Sequence, residues 1–503
     1  MKKLSAVIVF FSFVLCALAQ TSPSLEATNF VAGGRRMSLE DCIQEALQHN
    51  LDIQIQRYNP EISLYALRAS YGGYDPLLKF SASHAYTVQP SGFTSQGIAL
   101  PAQTTTFDSF SSSIGGELPF TGLQYNIQGG INEQTFLSGG NIPNSGGSIG
   151  LQLSQPLLQN FWIDSTRLTI KLNKNTLQND EQGFRQQVIT SITAVQNAYY
   201  ELIYSLENVK VQQEAVDLAQ TQLDQDKQRM QIGTLPLLSV QQDESQLAQD
   251  KSTLIAAESK LGTDELTLKN LLTDNYSDWQ NVQIQPTEAL AAPLVLFDLQ
   301  DSWSKAMTQR PDLVQARLNV ERQGIQLKFL KNQIFPQLDL VGTLGYNGEG
   351  VYYEGTFDQI GKGNAPYYSY GVQFQVPLAN QNARNTYKSG KVTMQQLVLT
   401  LKQLEQKIMV AVDNDIGTAQ SDYENVQATR EARMYAEAAL DAEQKTYAVG
   451  KATTFEVLQY QSQLTTARGN EIQALATYEE SLATLAADEG STLDNFDISI
   501  QAE

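Results

Sequence analysis

The side chains that could do chemistry are few. Two histidines and two cysteines are all that this 503-residue chain offers for proton shuttling, thiol or zinc chemistry. His49 and His84 share no metal-ligand spacing with Cys42, so a zinc site is not supported. No Ser-His-Asp set, acid pair, phosphate loop or metal constellation is placed to serve a reaction, and two histidines leave little for proton transfer. The expectation is a protein that is not an enzyme and carries no cofactor or metal. Cys42 occupies a helical apolar position in Leu39-Glu40-Asp41-Cys42-Ile43, which reads as packing rather than reactivity. What the chain repeats instead is a turn. Val449-Gly450-Lys451-Ala452-Thr453-Thr454 interrupts a very long helical pattern, and Gly233 interrupts another 217 positions earlier. Each glycine supplies the left-handed backbone position at the tip of a helical hairpin.

The elements that must position these turns also come in pairs. At the offset of 217, Val240 matches Val457, Ser245-Gln246-Leu247 returns as Ser462-Gln463-Leu464, and Glu207-Asn208-Val209 returns as Glu424-Asn425-Val426. Upstream, an offset of 260 carries Ala46 to Ala306, Asp52 to Asp312, Arg57 to Arg317 and Pro76 to Pro336. Fixed offsets without gaps mark an internal duplication. Before each turn the apolar residues fall four and three apart: Val188, Ile192, Val195, Tyr199, Leu202, Leu206 and Val209, then Met409, Val412, Ile416, Ala419, Tyr423 and Val426. A 3.5-residue repeat favours knobs-into-holes packing. The stretch from about Thr166 to Ile232 would make roughly 100 Å of helix, which needs partners along its whole length. Behind the turns, Val240, Leu247, Leu254, Leu261 and Leu268 fall seven apart, and Val457, Leu464, Tyr478 and Leu485 keep the register in the second copy. Gln, Ala, Ser, Thr and Asn cover much of the remaining helix surface. That suits either close packing to neighbours on both sides or a long solvated bundle.

The start of the chain sets the compartment. A basic Met1-Lys2-Lys3, an apolar Ala6–Leu15 and small residues at Ala17-Leu18-Ala19 read as a secretory signal peptide over 1–19. Only Cys42 remains after its removal, so no intrachain disulfide is expected. A net charge of −20 argues against nucleic acid and suits an acidic surface or a cation-attracting lumen. No later segment has the length of an apolar membrane-spanning helix, so a membrane role requires a β-barrel.

Strand signals sit where such a barrel would need them. From Ser38 a helical pattern runs to about Ser70, Gly72-Gly73 breaks it, and beyond Pro76 the period becomes two. Leu78, Phe80, Ala82, Tyr86 and Val88 alternate with polar residues, and Leu338, Leu340, Leu344 and Tyr346 do the same beyond Pro336. Returning strands carry Ile149, Leu151 and Leu153 before Pro156, and Tyr370, Val372, Phe374 and Val376 before Pro377. Alternation over about ten residues suits a transmembrane strand, though a water-soluble sheet alternates too. The insert over 89–148 holds a further hairpin pattern around Thr121-Gly122. It either adds two strands to the wall or stands above it. Short strands are expected at Val282-Gln283-Ile284 and Ile498-Ser499-Ile500.

With these pieces in order, the chain resembles the TolC-like outer-membrane efflux protein family. Leu39-Glu40-Asp41…Ala46 with Asn50, Arg310-Pro311-Asp312-Leu313, Phe335-Pro336, Gln155-Pro156-Leu157 and Gly450…Phe455-Glu456-Val457-Leu458 carry the resemblance across essentially the whole mature chain. It implies an α+β membrane protein, internally duplicated. Three chains would share a transmembrane β-barrel, about four strands from each and twelve in all. A long periplasmic coiled-coil α-barrel with a small mixed equatorial belt would continue it. The implied role is a passive outer-membrane exit duct for a tripartite efflux pump or type I secretion system. Its implied partners are two further copies of the chain, outer-membrane lipid, a periplasmic adaptor protein and an inner-membrane pump. A periplasm-spanning coiled-coil scaffold or adhesin without a pore is the alternative, but it would lack the period-two strands.

The same resemblance assigns the tips. Gly233, Thr234 and Leu235, with Gly450, Lys451 and Ala452, correspond to the turns that meet the adaptor. Glu456 falls on the first of two positions that carry axis-facing acids in well-known members, and Gln459, neutral here, on the second. Tyr447 matches a tyrosine that holds the closed state. Ser239 stands where some relatives have an acid, which leaves the usual locking pair without its carboxylate. Three Glu456 carboxylates around one axis would favour cations, whereas on its own Glu456 reads as the acidic first turn of a helix. The expected units are a leader and first helices over 20–75, a strand pair over 76–156 and a hairpin over 157–274 with its tip at 231–236. A linker over 275–300 separates these from a helix over 301–336, a strand pair over 337–378, a hairpin over 379–490 with its tip at 448–454, and an equatorial strand over 491–503.

Overall fold

Proline, glycine and capping residues mark the points where the backbone changes period. A computed structural model describes residues 34–100, 102–136 and 142–499; the expected signal peptide lies outside the described residues. β1 (Arg35–Met37) leads into α1 (Leu39–His49), whose start is closed reciprocally. Ser38 accepts from the Asp41 N–H, and the Asp41 carboxylate accepts from the Ser38 N–H. The run from Ser38 to Ser70, expected as one helix, is two. Asn50 takes an extended backbone and its side chain caps α2 (Leu51–Ser70) by accepting from Ile53 N–H. A 3-10 turn over Tyr71–Tyr74 ends α2, and β2 (Leu77–Gln89) follows Pro76. A two-residue hairpin, β3 (Gly92–Phe93) and β4 (Ala99–Leu100), precedes β5 (Gln103–Glu117), β6 (Gln124–Phe136) and β7 (Ile142–Pro156). Then come α3 (Ser165–Gln231), α4 (Leu237–Leu272), α5 (Tyr276–Trp279) and β8 (Ile284–Pro286).

The second half repeats the helices. α6 (Leu299–Gln309) and α7 (Pro311–Asn332) break at Arg310, as α1 and α2 break at Asn50, so the single helix expected over 301–336 is also two. β9 (Gln337–Gly350), α8 (Tyr353–Lys362) and β10 (Pro366–Gln375) lead to α9 (Gln381–Ala448), α10 (Thr454–Glu489) and α11 (Thr492–Asn495). α3 and α9 have 67 and 68 residues, and α4 and α10 have 36 each. The duplication therefore holds in the helices, and the two halves differ in their strands.

Among the described residues one sheet holds six strands in the order β10-β9-β7-β6-β5-β2, every neighbour antiparallel. This corrects the four strands expected from the resemblance. The insert is the cause, because β5 and β6 stand between β2 and β7 as part of the sheet. Paired residues of antiparallel neighbours share a face, so the register sorts the side chains. Leu78, Ile114, Ile127, Leu151, Leu344 and Tyr368 form one cross-strand row on one face. Lys79, Ser113, Gln128, Gly150 and Gly345 form the adjacent row on the other. The first face is mainly apolar, crossed towards the end away from the long helices by the polar row His84, Asp108, Glu133 and Ser145, and the other face is mainly polar. α8 lies on the apolar face, where its Thr356 hydroxyl is 3.1 Å from the Ser145 carbonyl oxygen and 2.8 Å from the Ser145 hydroxyl.

The largest core lies where α1, the middle of α3 and the end of α4 meet, around Cys42, Ile43, Ile192, Tyr199, Leu268 and Leu272. Cys42 is fully buried there. β1 pairs in parallel with β8, and the Tyr199 hydroxyl donates to the Met37 carbonyl at 3.1 Å. The strand expected at 282–284 is shifted to Ile284–Pro286, held by the Glu265 carboxylate on Ile284 N–H at 3.0 Å. The C-terminal strand is not formed over 496–499; Ile498 packs on the core instead, and Ile500 lies outside the described residues.

Candidate functional site

The two tips are built alike. Gly233 and Gly450 adopt φ of +80° and +75°. At the first, Gly233 N–H reaches Met230 O at 2.9 Å and Thr234 N–H reaches Arg229 O at 2.9 Å. At the second, Gly450 N–H reaches Tyr447 O at 3.0 Å and Lys451 N–H reaches Thr446 O at 3.1 Å. Both are paired closures of the helix end with a left-handed residue just past it. A Cβ on either glycine would meet nothing within 4 Å, so backbone conformation rather than space requires glycine. Thr234 and Lys451 are exposed, whereas Leu235 and Ala452 tuck against the small cores behind the turns.

The return helices start differently. α4 begins at Pro236 without a side-chain cap. α10 begins with a capping box in which Glu456 Oε2 accepts from Thr453 N–H at 2.7 Å and Glu456 N–H reaches Thr453 Oγ1 at 3.3 Å. The Thr453 N–H and the Thr453 hydroxyl, both donating to the carboxylate, hold the exposed Glu456 carboxyl below the usual carboxylate range. Gln459 is exposed one turn further on, and Ser239 is half-buried in the first turn of α4.

Tyr447 is where the two hairpins meet. Its hydroxyl lies 2.7 Å from both carboxylate oxygens of Asp226, on α3, and 3.0 Å from Thr454 Oγ1. Arg229 stacks over its ring at 4.6 Å, and Gln222 Nε2 donates to Asp226 Oδ2 at 2.9 Å. Burial and the Asp226 carboxylate push the phenol's pKa up, against the Thr454 hydroxyl. The acid facing Tyr447 thus comes from the ascending helix, not from the position of Ser239. Asp243 of α4 is buried beside it at 1% exposure, and neither of its carboxylate oxygens has a hydrogen-bond partner. Burial, then the neighbouring Asp226, pushes Asp243 up to about 7. Tyr447, Asp226, Thr454 and Asp243 tie α9, α3, α10 and α4 together just above the tips.

Sequence reasoning about the tips named Tyr447 but not Asp226 or Asp243. The signal was there. Val216, Ala219, Leu223, Asp226 and Met230 continue the four-three spacing of the seam, and Val240, Asp243 and Leu247 do so on the return helix. An acid at a seam position is a buried acid, and a buried acid needs a partner. Among the described residues no group of three or more His, Cys, Asp or Glu is placed to hold a metal ion.

The sequence pattern of the outer membrane efflux proteins matches residues 42–273 and 303–490. The chain is 23% identical over 344 residues to the outer membrane protein TolC of Salmonella enteritidis, a match spanning 66% of each. It is 21% identical over 323 residues to the outer membrane efflux protein BepC of Brucella suis, across 63% of this chain and 66% of that one. The matched stretches span just under two thirds of these relatives. The fold is shared with the Campylobacter jejuni CmeC outer membrane channel, at a TM-score of 0.66 and 15% identity over 91% of this chain and 88% of that one. It is also shared with VceC of Vibrio cholerae, at 0.66 and 17% over 90% and 96%. Both halves of the duplication, with the tip turns inside them, lie within the matched pattern: the chain belongs to the outer membrane efflux protein family, and its place is the outer membrane, with a large part in the periplasm.

Proposed function

We propose that the chain is one third of a passive exit duct that serves a tripartite efflux pump or type I secretion system. The observation that carries this reading is the two-faced sheet set on the end of helices about 100 Å long. A sheet apolar on one face and polar on the other suits lipid outside and water inside. Long helices with neighbours along their length, α3 against α2, α4, α7 and α10, suit a tube wall. Leu78, Phe80, Tyr370 and Phe374 stand 61–84% exposed on the apolar face, a surface that needs a membrane. In this reading a periplasmic adaptor and an inner-membrane pump engage the tips around Gly233-Thr234-Leu235 and Gly450-Lys451-Ala452. Substrate passes through without chemistry.

The closed state is held by Tyr447 on Asp226, and the entrance is lined by Glu456 and Gln459, with Ser239 nearby. Three Glu456 carboxylates around the axis would draw cations and impede anions. Recordings of the purified trimer in planar bilayers should show a small, cation-preferring conductance blocked by divalent ions. Glu456→Gln should weaken that block; an unchanged block removes Glu456 from the gate. Crosslinkers placed at Thr234 and Lys451 in cells should capture an adaptor, and a chain that captures none and conducts nothing is no duct.

A further inference from the structure

The sheet ends in two open edges. Among the described residues, β2 at one side and β10 at the other are each paired along one edge only. They are 13 and 10 residues long, and both alternate apolar and polar side chains in phase with the rest of the sheet. Their directions are complementary. β2 runs away from the helices and β10 returns towards them, so β10 of one copy laid beside β2 of the next continues the antiparallel alternation. A six-stranded sheet is too small to close on itself, because even small barrels need about eight strands. Unpaired edges of this length inside a membrane leave backbone N–H and C=O groups without partners.

We infer that the edge partner is a second copy of this chain and that three copies close an eighteen-stranded barrel rather than a twelve-stranded one. The inference rests on the trimeric duct proposed above and goes beyond it in strand count. Barrel diameter grows roughly linearly with strand number, so this exit is about 1.5 times as wide as a twelve-stranded one. Barrels of 16–18 strands keep an open aqueous channel. The inward face here is made mainly of small and neutral polar residues such as Ser81, Ser111, Gln128, Ser148 and Thr343. Lys79, Glu117, Asp339 and Glu349 are the charged groups on this face of each copy. A mouth this wide, with its few charges spread round the wall, sorts little, which leaves selection to the tips at the other end.

Electron cryo-microscopy of the wild-type protein in lipid nanodiscs, with its mass measured in the same preparation, tests this directly. Three copies and eighteen strands are expected. Three copies with twelve strands overturn the inference and leave the duct standing; two copies or one overturn the duct itself. Independently, Ser83→Cys combined in turn with Tyr367→Cys, Ser369→Cys, Gly371→Cys or Gln373→Cys should give an oxidised covalent trimer for one pairing. These positions share the polar face, and Cys42 is buried and does not compete. The two strands stand at opposite sides of the six-stranded sheet, so a crosslink within one chain is out of reach. A trimer that crosslinks in none of the four pairings overturns edge-to-edge closure.

Discussion

Asp243 is the residue at which pH should act. A solvated aspartate titrates near 4, whereas Asp243 packed against Asp226 is pushed up to about 7. The packed α3–α4 seam therefore binds a proton more tightly than the unfolded chain. Its packing is fully favoured below about pH 4 and weakens as pH rises through about 7, where Asp243 becomes charged in a buried seam. The first hairpin should be less stable at pH 8 than at pH 6. Asp243→Asn should flatten that dependence and stabilise the hairpin at pH 8. Hydrogen exchange over 216–247 against pH checks it; an unchanged slope in the variant shows that the acid pair does not set the stability of the seam. Tyr447→Phe removes the hydroxyl from a buried carboxylate and should raise the open fraction at every pH, since an unpaired buried acceptor costs about 1–3 kcal/mol.

At the scale of elements, the duplication makes one joint twice with different chemistry. Asn50 caps α2 and donates to Leu271 O at the end of α4, at 2.9 Å. The same place in the second half is Arg310, which bonds Asp488 O and Asp488 Oδ1 at the end of α10, at 2.9 and 2.8 Å, and Asp312 at 2.9 Å. Asp415 faces the same cluster and is pushed up to about 7 by burial and by Asp488, against Arg310. Arg310→Met leaves three carboxylates without their cation and should cost about 3–5 kcal/mol, whereas Asn50→Ala loses one cap and should cost about 1 kcal/mol. Chemical denaturation of the detergent-solubilised protein measures both, and equal losses would show that the charge cluster adds nothing to the joint. α8 gives a second case. A Cβ on Gly348 would come within 2.8 Å of Ile360, so Gly348→Val should lift α8 from the sheet, seen as faster hydrogen exchange over 353–362.

For the whole molecule, the apolar face and the open edges make a single copy in water an unstable object. The protein should leave membranes only with detergent, run as three copies, and aggregate when the detergent is removed. Sedimentation in detergent, followed by its removal, is the check. A monomer stable in plain buffer would contradict the duct and the barrel together.

The division between sequence and tertiary structure runs along the range of the interactions involved. Seam spacing, tip glycines, period-two strands beside Pro76 and Pro336, and the two repeat offsets are local or periodic features, and the sequence by itself determined them. It also determined that Cys42 packs and that the tips come in two related copies. Three outcomes were decided by contacts between distant residues. The 89–148 insert supplies two strands because β5 and β6 find backbone partners in β2 and β7. The long first helix breaks because Asn50 satisfies Ile53 N–H and Leu271 O together. The acid that meets Tyr447 is Asp226 rather than a residue at position 239, since packing of one hairpin on the other chooses which seam position faces it. A one-dimensional pattern shows that an aspartate sits on a buried seam; only the packed helices say what lies opposite.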